Sequence, residues 1–584
     1  MELLKIKKIT SLEKVFPDQE PSGEGMEDVI TALKKETVSF QMAYYWGGQR
    51  KGRAQVQVTS DDKEQVRVRS VRLVPCEYPA HMVADDDYLT TKSGLYPDLL
   101  SDIQPWGVEL ISGQWKSLWI DVDTTGLTAG DHTVKVDMVV EGEVLGSTIE
   151  MIHVVDAELP QMAVPHTEWF HSDCLANYYG VEVFSEEHWK IVENFVRTAV
   201  KRKCNMLLTP VFTPPLDTAI GGERRTVQLV DVHVTEDGYT FGFDKFERWV
   251  DMCKRCGIKY YEISHLFSQW GATMAPKVMG EKDGKLVQLF GWDTEAAGKE
   301  YSEFLHQFLA ALKPELVKLG ISEVTYFHIS DEPSQEQFDS YKAAKEVVEK
   351  DLEGYQMMDA LSDYEFYEKG LVSQPVCAVN HIQPFLEKRP EKLWGYYCTG
   401  QYVDVTNRFI VQPGYRTRIL GTQMYKYQLD GFLHWGYNFY NAEHSIFPID
   451  PYRCTDAAGA FPSGDPFLVY PGADGEPEES LRIMLMDEAM SDLCAMNYLE
   501  ELAGRDVVMS CIEPLLYHKL KDVQTIYQGF SEFLRKRYIT AEEVLDLLCE
   551  KIGSSRLVRD SWIVLDGFTG FTPVQNKLLR ELLK

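Results

Sequence analysis

The stretch "VTYFHISDEPSQEQFDSYKAAKEVVEKDL", residues 324–352, contains the pattern that decides the fold of this chain. It opens with a short run of β-branched and aromatic residues, which is typical of a buried strand. In its second half, apolar residues recur on one helical face, at Phe338, Tyr341, Val348 and Leu352. The stretch therefore predicts a strand, a turn and a helix in succession, with the adjacent acids Asp331 and Glu332 in the turn.

The same succession of a short apolar run and a helical segment recurs after residue 160. Such alternation is typical of βα units around a parallel sheet. The predicted strands are "EWFH" (168–171), "NMLLT" (205–209), "KYYEIS" (259–264), "VTYFHI" (324–329), "YQMMDAL" (355–361), "VCAV" (376–379), "LWGYYC" (393–398) and "GFLHWGY" (431–437). Eight strands close a (β/α)8 barrel of the TIM type, so we predict this α/β barrel.

The residues before the barrel have a different periodicity. Runs such as "QVRVRSVRLV" (65–74) and "HTVKVDMVV" (132–140) alternate apolar and polar residues, and turn residues separate them. Repeated alternation with period two predicts a β-sandwich. We therefore expect a multidomain chain in three parts: a β-sandwich over residues 1–160, the barrel over 161–505 and a helical extension over 506–584.

Composition restricts the partners. The net charge of −31 would repel phosphate backbones, so we expect no nucleic acid and a neutral ligand instead. Apolar runs stay shorter than the ~18 residues of a membrane span. The start, "MELLKIKKIT", lacks the features of a signal peptide, and the eleven cysteines are scattered. We expect a cytoplasmic protein with reduced thiols.

The position of the acid pair indicates an active site. If the run before them is the fourth barrel strand, Asp331 and Glu332 lie at its C-terminal end, where barrels of this kind build their active sites. Neighbours on a regular strand point to opposite faces, but this restriction ends where the backbone turns. Pro333 favours an extended conformation at Glu332. Ser334 and Gln337 fit a capping box that opens the next helix, so we expect a stiff corner.

Ionising both carboxyl groups on such a corner costs free energy. Repulsion and burial raise one pKa, which leaves an ionised acid beside a protonated one. Glycoside hydrolysis uses such a pair, but its two carboxyls usually lie ~5–10 Å apart across the sugar. Adjacent residues better fit the variant in which the 2-acetamido oxygen of the substrate attacks the anomeric carbon. We therefore expect a glycan with a terminal N-acetylhexosamine; the alternative is a pair that only caps a helix.

Potential sugar-binding groups cluster at the other predicted strand ends. Aromatic faces can stack on sugars, while acids, amides and imidazoles can bind hydroxyls. The candidate substrate-binding residues are His171, Asp173, His265, Trp270, Trp394, Tyr396, Trp435, Tyr437 and Asn438. Each aromatic residue or histidine alone is more often part of a core, so the prediction depends on their joint placement.

At these residues the sequence resembles glycoside hydrolase family 123, the retaining β-N-acetylgalactosaminidases. The resemblance runs from "HTEWFHSDCLANYYG" (166–180) to "GDPFLVYPG" (464–472), and it includes "YEISHLFSQWGA" (261–272), "FHISDEPS" (327–334) and "GFLHWGYNFYN" (431–441). It implies a β-sandwich followed by a barrel, and catalysis through an oxazoline formed by the substrate. It also implies that Asp331 orients the acetamido group and that Glu332 is general acid and then general base.

The same resemblance implies an exo-acting enzyme that removes terminal β-linked N-acetylgalactosamine, as found in glycosphingolipid glycans. On the residues alone, a non-catalytic glycan-binding protein and a β-N-acetylglucosaminidase stay open as alternatives. We expect no cofactor. "CKRC" (253–256) lies in a predicted amphipathic helix without a second cysteine pair, so we also expect no metal. The sequence predicts neither an oligomeric state nor a role for the residues beyond about 505.

Overall fold

The computed structural model describes residues 3–516, with backbone alone for residues 513–516. The predicted helical extension over 506–584 therefore lies largely outside the described residues. The N-terminal part consists of β1 (Leu4–Thr10), β2 (Val29–Lys34), β3 (Thr37–Trp46), β4 (Gly52–Thr59), β5 (Val66–Cys76), β6 (Gly94–Asp102), β7 (Val108–Leu110), β8 (Trp115–Asp123), β9 (Gly130–Val140) and β10 (Glu143–Glu158).

These strands form two five-stranded sheets, in the orders β1-β3-β8-β5-β6 and β2-β10-β9-β4-β7. Alternate residues of β3 point inward, so Phe40 and Met42 share one apolar core with Val136 and Met138 of the opposite sheet. Phe40 is opposite Ile120 in the antiparallel β3–β8 ladder. The prediction of a β-rich N-terminal part is confirmed, and its two sheets share one core.

The remaining elements alternate between strands and helices. In chain order they are β11 (His166–Glu168), α1 (Ser172–Tyr179), α2 (Glu186–Lys201), β12 (Met206–Thr209), β13 (Asp231–Thr235), β14 (Gly238–Gly242), α3 (Asp244–Cys256), β15 (Tyr260–Ile263), β16 (Val278–Lys282), β17 (Lys285–Phe290), α4 (Lys299–Lys318), β18 (Thr325–Phe327), α5 (Phe338–Val348), β19 (Gln356–Leu361), α6 (Tyr364–Glu368), β20 (Gln374–Ala378), α7 (Gln383–Glu387), β21 (Trp394–Tyr396), α8 (Gly414–Tyr427), β22 (Gly431–His434), β23 (Val469–Pro471), β24 (Pro477–Glu479), α9 (Leu481–Ala503) and α10 (Arg505–Leu516). Short 3-10 turns lie at Lys63–Gln65, Ser322–Val324, Gln335–Gln337, Val379–His381 and Glu443–Ser445.

Eight parallel strands close the barrel in the order β11-β12-β15-β18-β19-β20-β21-β22, and β22 pairs with β11. They correspond one for one to the predicted strands, so the predicted closed barrel is confirmed. Most end earlier than predicted; the run predicted over 431–437 ends as a strand at His434. The residues that follow leave the ladder and form the loops at this end of the barrel. The helices after β19 and β20 have five residues each, whereas α2, which follows α1, has 16 and α4, which follows β17, has 20.

Helix α9 lies between the barrel and the first sheet. Its residues Ile483 and Met484 share an apolar core with Val71, Leu99 and Trp119 of that sheet. On its other side, α8 approaches so closely at its Gly421 that a Cβ there would lie 1.8 Å from a backbone oxygen of α9. Within residues 3–516, no helix combines the length and apolarity that crossing a bilayer requires.

Buried ion pairs join the two parts of the protein. Arg69 of β5 contacts both Asp121 of β8 and Glu479, which lies at the end of β24. Arg202, at the end of α2, contacts Glu479 at 2.5 Å and Asp487 of α9 at 2.8 Å. Burial alone would raise the pKa of Glu479, but the charges of Arg202 and Arg69 hold it well below its usual range. Glu479 therefore stays ionised and links Arg69 of the sandwich to Arg202, which in turn contacts Asp487 of α9.

Replacing this carboxylate tests the link. Glu479→Ala leaves Arg69 and Arg202 buried without their shared partner, so we expect the free energy of unfolding to fall by about 3–5 kcal/mol. Denaturant unfolding followed by tryptophan fluorescence measures the change. The exposed Glu476→Ala is the matched control, with an expected change within about 0.5 kcal/mol. Equal effects of the two variants would contradict the role of this ion-pair network.

Candidate active site

A cavity of about 140 Å³ opens where the barrel strands end at their carboxyl side. Five aromatic side chains line it: Trp169, Trp270, Tyr396, Trp435 and Phe461. Its polar lining includes Asp331, Glu332, Gln269 and Asp217. The cavity therefore combines flat apolar faces with paired acids, which suits a sugar with its apolar ring faces and polar hydroxyls.

The acid pair faces one cavity because the backbone turns sharply at Glu332. Its φ is +42°, in the left-handed region that favours glycine. The extended conformation predicted from the following proline is therefore wrong. Holding a non-glycine residue there costs about 1–3 kcal/mol. The surrounding structure holds it: the Glu332 amide donates to the carbonyl of Ala360 (3.1 Å), and the Trp270 amide donates to the carbonyl of Asp331 (3.1 Å).

The predicted capping box of Ser334 and Gln337 is present. The backbone amide of Ser334 donates to the Gln337 side-chain oxygen at 2.9 Å, and the Ser334 side chain accepts in return. Because this box opens the 3-10 turn that leads into α5, the chain beyond the acid pair is fixed as well as the chain before it.

Beneath the acid pair, His328 lies between two buried carboxylates. Its Nε2 is 2.6 Å from Glu262 on β15, and its Nδ1 is 3.1 Å from Asp359 on β19. Burial alone would lower the pKa of His328, but the hydrogen bonds and charges of Asp359 and Glu262 raise it to about 10. The ring is therefore an imidazolium at neutral pH, and it ties three neighbouring barrel strands together.

The same carboxylates position the cavity itself. Asp359 accepts hydrogen bonds from the amides of Ile329 (3.1 Å) and Ser330 (3.3 Å), which fixes the backbone just before the acid pair. Glu262 accepts from the indole of Trp169 at 2.6 Å and so orients a ring of the cavity wall. One ion-bridged triad thus supports both the acids and an aromatic face.

The environment of the two acids raises their pKa values. Burial and the charge of Glu332 raise the pKa of Asp331 to about 8, although the Gln269 hydrogen bond (2.8 Å) and the His328 charge oppose this. Burial also raises the pKa of Glu332, and the Tyr396 hydroxyl opposes that shift by donating to its carboxylate at 2.5 Å. Near neutral pH the pair therefore shares one proton.

The structure brings Trp270, Tyr396 and Trp435, of the predicted sugar ligands, to the cavity with the acid pair. The hydroxyl of Tyr396 contacts Glu332. The indole of Trp435 donates to Asp465 at 2.9 Å, which holds its ring in place. These three residues follow or end strands β15, β21 and β22, so the strand-end argument located them.

Three other predicted ligands lie behind the cavity wall and form hydrogen bonds or ion pairs with other protein groups. Asp173 forms a bidentate ion pair with Arg224, at 2.7 and 3.0 Å. His171 lies between the same arginine and the carbonyl of Trp435; burial and the arginine charge lower its pKa to about 3. Asn438 exchanges hydrogen bonds with the His171 backbone. Their side chains stabilise the loops after β11 and β22.

The remaining three lie in the core. The His265 ring stacks on His328 at 4.3 Å, and burial with the His328 charge lowers its pKa well below the usual range. Trp394 is 1% exposed in the barrel interior, one layer below Tyr396, since residues two apart on a strand share a face. The hydroxyl of Tyr437 donates to the carbonyl of Phe195 at 2.9 Å. These three residues, like the three behind the wall, therefore support the cavity from outside its lining.

Several lining residues were missed from the sequence. Trp169 directly follows β11 and Gln269 directly precedes Trp270, so their place at strand ends was an available signal. Asp217 and Phe461 come from long loops, and their positions depend on tertiary contacts. Within the part of the chain that the structure describes, no cluster of three or more His, Cys, Asp or Glu side chains is arranged to hold a metal ion.

A closed parallel barrel with adjacent acids in an aromatic-lined cavity is typical of glycoside hydrolases, and comparison with known families agrees. The family model "Glycoside hydrolase 123, catalytic domain" matches residues 169–499, more than half of the chain. The chain therefore belongs to glycoside hydrolase family 123. A solved structure of a family 123 glycoside hydrolase from Clostridium perfringens superposes with a TM-score of 0.70 at 13% identity, covering 91% of this chain and 99% of that one.

A second family model, "ADDB, N-terminal", matches residues 485–584. Curated relatives include a subunit of the ATP-dependent helicase/deoxyribonuclease of Lachnoclostridium phytofermentans, 61% identical over 72 residues, and the corresponding subunit of Caldanaerobacter subterraneus, 46% identical over 69 residues. Each alignment covers 12% of this chain, which spans about 6% of the length of these relatives. The two family models overlap over residues 485–499, within α9.

Removing the central imidazolium tests the support of the site. His328→Ala leaves Glu262 and Asp359 buried without their shared cation, so we expect a loss of about 3–5 kcal/mol in the free energy of unfolding. Urea titration measures it. His233→Ala, on the exposed strand β13, is the matched control, expected within about 0.5 kcal/mol of the parent. A His328→Ala protein as stable as this control would refute the ion-bridged triad.

Proposed function

We propose that this protein is an exo-acting retaining hydrolase that releases terminal β-linked N-acetylgalactosamine by substrate-assisted catalysis. One observation carries the proposal: adjacent acids face the same aromatic-lined cavity from one corner of the barrel. Carboxyl groups from one corner cannot easily flank a sugar from opposite sides. They can act together if the substrate's own acetamido oxygen is the nucleophile.

The two acids then have different roles. Asp331, only 6% exposed, accepts a hydrogen bond from the acetamido N–H, which increases the electron density on the carbonyl oxygen. That oxygen attacks the anomeric carbon while the glycosidic C–O bond breaks, and Glu332 gives its proton to the departing oxygen. Asp331 takes the N–H proton as the ring closes, so the product of this step is a neutral oxazoline, and Asp331 returns the proton when the ring opens. Glu332, now a carboxylate, takes a proton from the water that opens the oxazoline, and the two inversions together retain the anomeric configuration.

Substrate binding would put the shared proton where this chemistry needs it. In the free protein, Asp331 has the pKa of about 8, and the Tyr396 hydroxyl donates to Glu332. An acetamido N–H that donates to Asp331 favours its ionised form. The proton of the pair is then held by Glu332, beside the bond that breaks.

The choice of N-acetylgalactosamine follows the family resemblance. The family 123 glycoside hydrolase from Clostridium perfringens is described as hydrolysing glycolipid glycans. We propose glycosphingolipid glycans as the natural class of substrate here as well. A paired assay of the 4-nitrophenyl β-glycosides of N-acetylgalactosamine and N-acetylglucosamine tests the epimer. Faster hydrolysis of the glucosaminide would reassign the sugar but keep the mechanism.

Conservative variants of the pair test the roles. With a poor leaving group, we expect Glu332→Gln to lower kcat by roughly 10²–10⁴-fold, because proton donation is lost. Asp331→Asn is expected to lower kcat even for 4-nitrophenyl glycosides, since attack by the acetamido oxygen accompanies the departure of every leaving group. The exposed Glu336→Gln on the same segment is the control and should keep the parent rate. Wild-type turnover in both pair variants would refute the assignment, and glycan binding without sugar release would favour a binding protein.

The pH profile of kcat/KM should be bell-shaped. Activity requires the pair to hold one proton, so it is lost as pH rises through about 8, where the raised pKa of Asp331 governs release of the shared proton. The acid limb lies above the range of an ordinary glutamate, because burial raises the pKa of Glu332. Tyr396→Phe removes a donor to ionised Glu332 and should shift the profile to higher pH. A profile flat through the alkaline range would contradict the shared proton.

A further inference from the structure

Glu332 borders two cavities. Besides the active-site cavity, it lines a larger cleft of about 700 Å³ together with Gln335, Ser362, Tyr364, Asn380, His381 and Gln383. We call this the α6–α7 cleft, because its walls come from the corner after β18 and from the loops that lead into α6 and α7. Both acids line the active-site cavity, and Glu332 also lines the cleft.

Three hydrogen-bonded side chains lie where the two spaces meet. The Tyr396 hydroxyl lies 2.5 Å from the Glu332 carboxylate and 3.4 Å from the Ser362 hydroxyl. Tyr396 lines the active-site cavity, Ser362 lines the cleft, and Glu332 lines both. The carboxyl group of Glu332 thus sits at the boundary between them.

A general acid must lie beside the bond that it helps to break, with the donor sugar on one side and the leaving group on the other. Since Asp331 and the aromatic rings surround the first cavity, that cavity suits the N-acetyl sugar. We propose that the α6–α7 cleft binds the leaving group and that it selects a sugar as the leaving group. This inference rests on the proposed function.

The chemistry of the cleft favours a hydroxylated occupant. Asn380, His381 and Gln383 are all exposed and offer amide and imidazole groups to hydroxyls. Tyr364 adds a half-buried aromatic ring, which is supported edge-on by Phe385 at 5.0 Å. In contrast, the exposed apolar residues Ile220, Ile446 and Phe447 belong to other loops. A second sugar of a glycan fits the cleft better than an acyl chain.

The test compares two substrates that share the terminal sugar: 4-nitrophenyl N-acetyl-β-galactosaminide and a trisaccharide with terminal β-linked N-acetylgalactosamine. The readout is the ratio of kcat/KM for the trisaccharide to that for the aryl glycoside. We expect His381→Ala/Gln383→Ala to lower this ratio by about 10-fold, as lost hydrogen bonds to a leaving sugar predict. Asn380→Ala should lower it in the same direction.

The matched control is Gln288→Ala. Gln288 is an exposed amide in a separate polar cleft of about 270 Å³, lined also by Trp292 and Lys277. Its ratio should equal that of the parent. If the enzyme is active but the α6–α7 cleft variants keep the parent ratio, the cleft assignment is wrong while the proposed function stands. The same conclusion follows if the ratio falls equally in the control. A parent protein that releases sugar from neither substrate would instead refute the proposed function and this inference with it.

Discussion

The imidazolium of His328, held between the carboxylates of Glu262 and Asp359, is the interaction on which the site depends. The three residues come from adjacent barrel strands, and their side chains are at most 1% exposed. Burying an unpaired charge at this position would cost free energy, so each of the three residues requires the others. Because Asp359 also holds the backbone before the acid pair, the same triad fixes the strained turn at Glu332.

This arrangement also sets the electrostatics of the acid pair. Burial and mutual repulsion make full ionisation of Asp331 and Glu332 costly, whereas the positive charge of His328 limits how far the pKa of Asp331 rises. The pair is left with one shared proton close to neutral pH. The donors Gln269 and Tyr396 contact the acid pair directly, and the neutral ring of His265 stacks on His328 behind the cavity lining. A fixed corner and a shared proton are what neighbouring-group chemistry needs from a protein.

Much of this could be predicted from the sequence, since strand periodicity and strand ends are local features. They located the eight barrel strands, the acid pair, Trp270, Tyr396 and Trp435. Trp394, which lies one layer deeper in the barrel, and Tyr437, which the loop turns into the core, do not line the cavity. The left-handed conformation of Glu332 was not predicted, because tertiary hydrogen bonds overcome the preference of a residue before proline. Arg224, which engages His171 and Asp173, lies far away in sequence.

The central claim is that the substrate supplies its own nucleophile. The most direct measurement is kcat/KM for a series of 4-nitrophenyl β-galactosaminides whose N-acetyl group carries zero to three fluorine atoms. Fluorine withdraws electrons from the amide oxygen and makes it a weaker nucleophile, while the leaving group stays the same. The account predicts that kcat/KM falls steeply with each added fluorine. A rate independent of fluorination would contradict it, because the attacking group would then belong to the protein or to water.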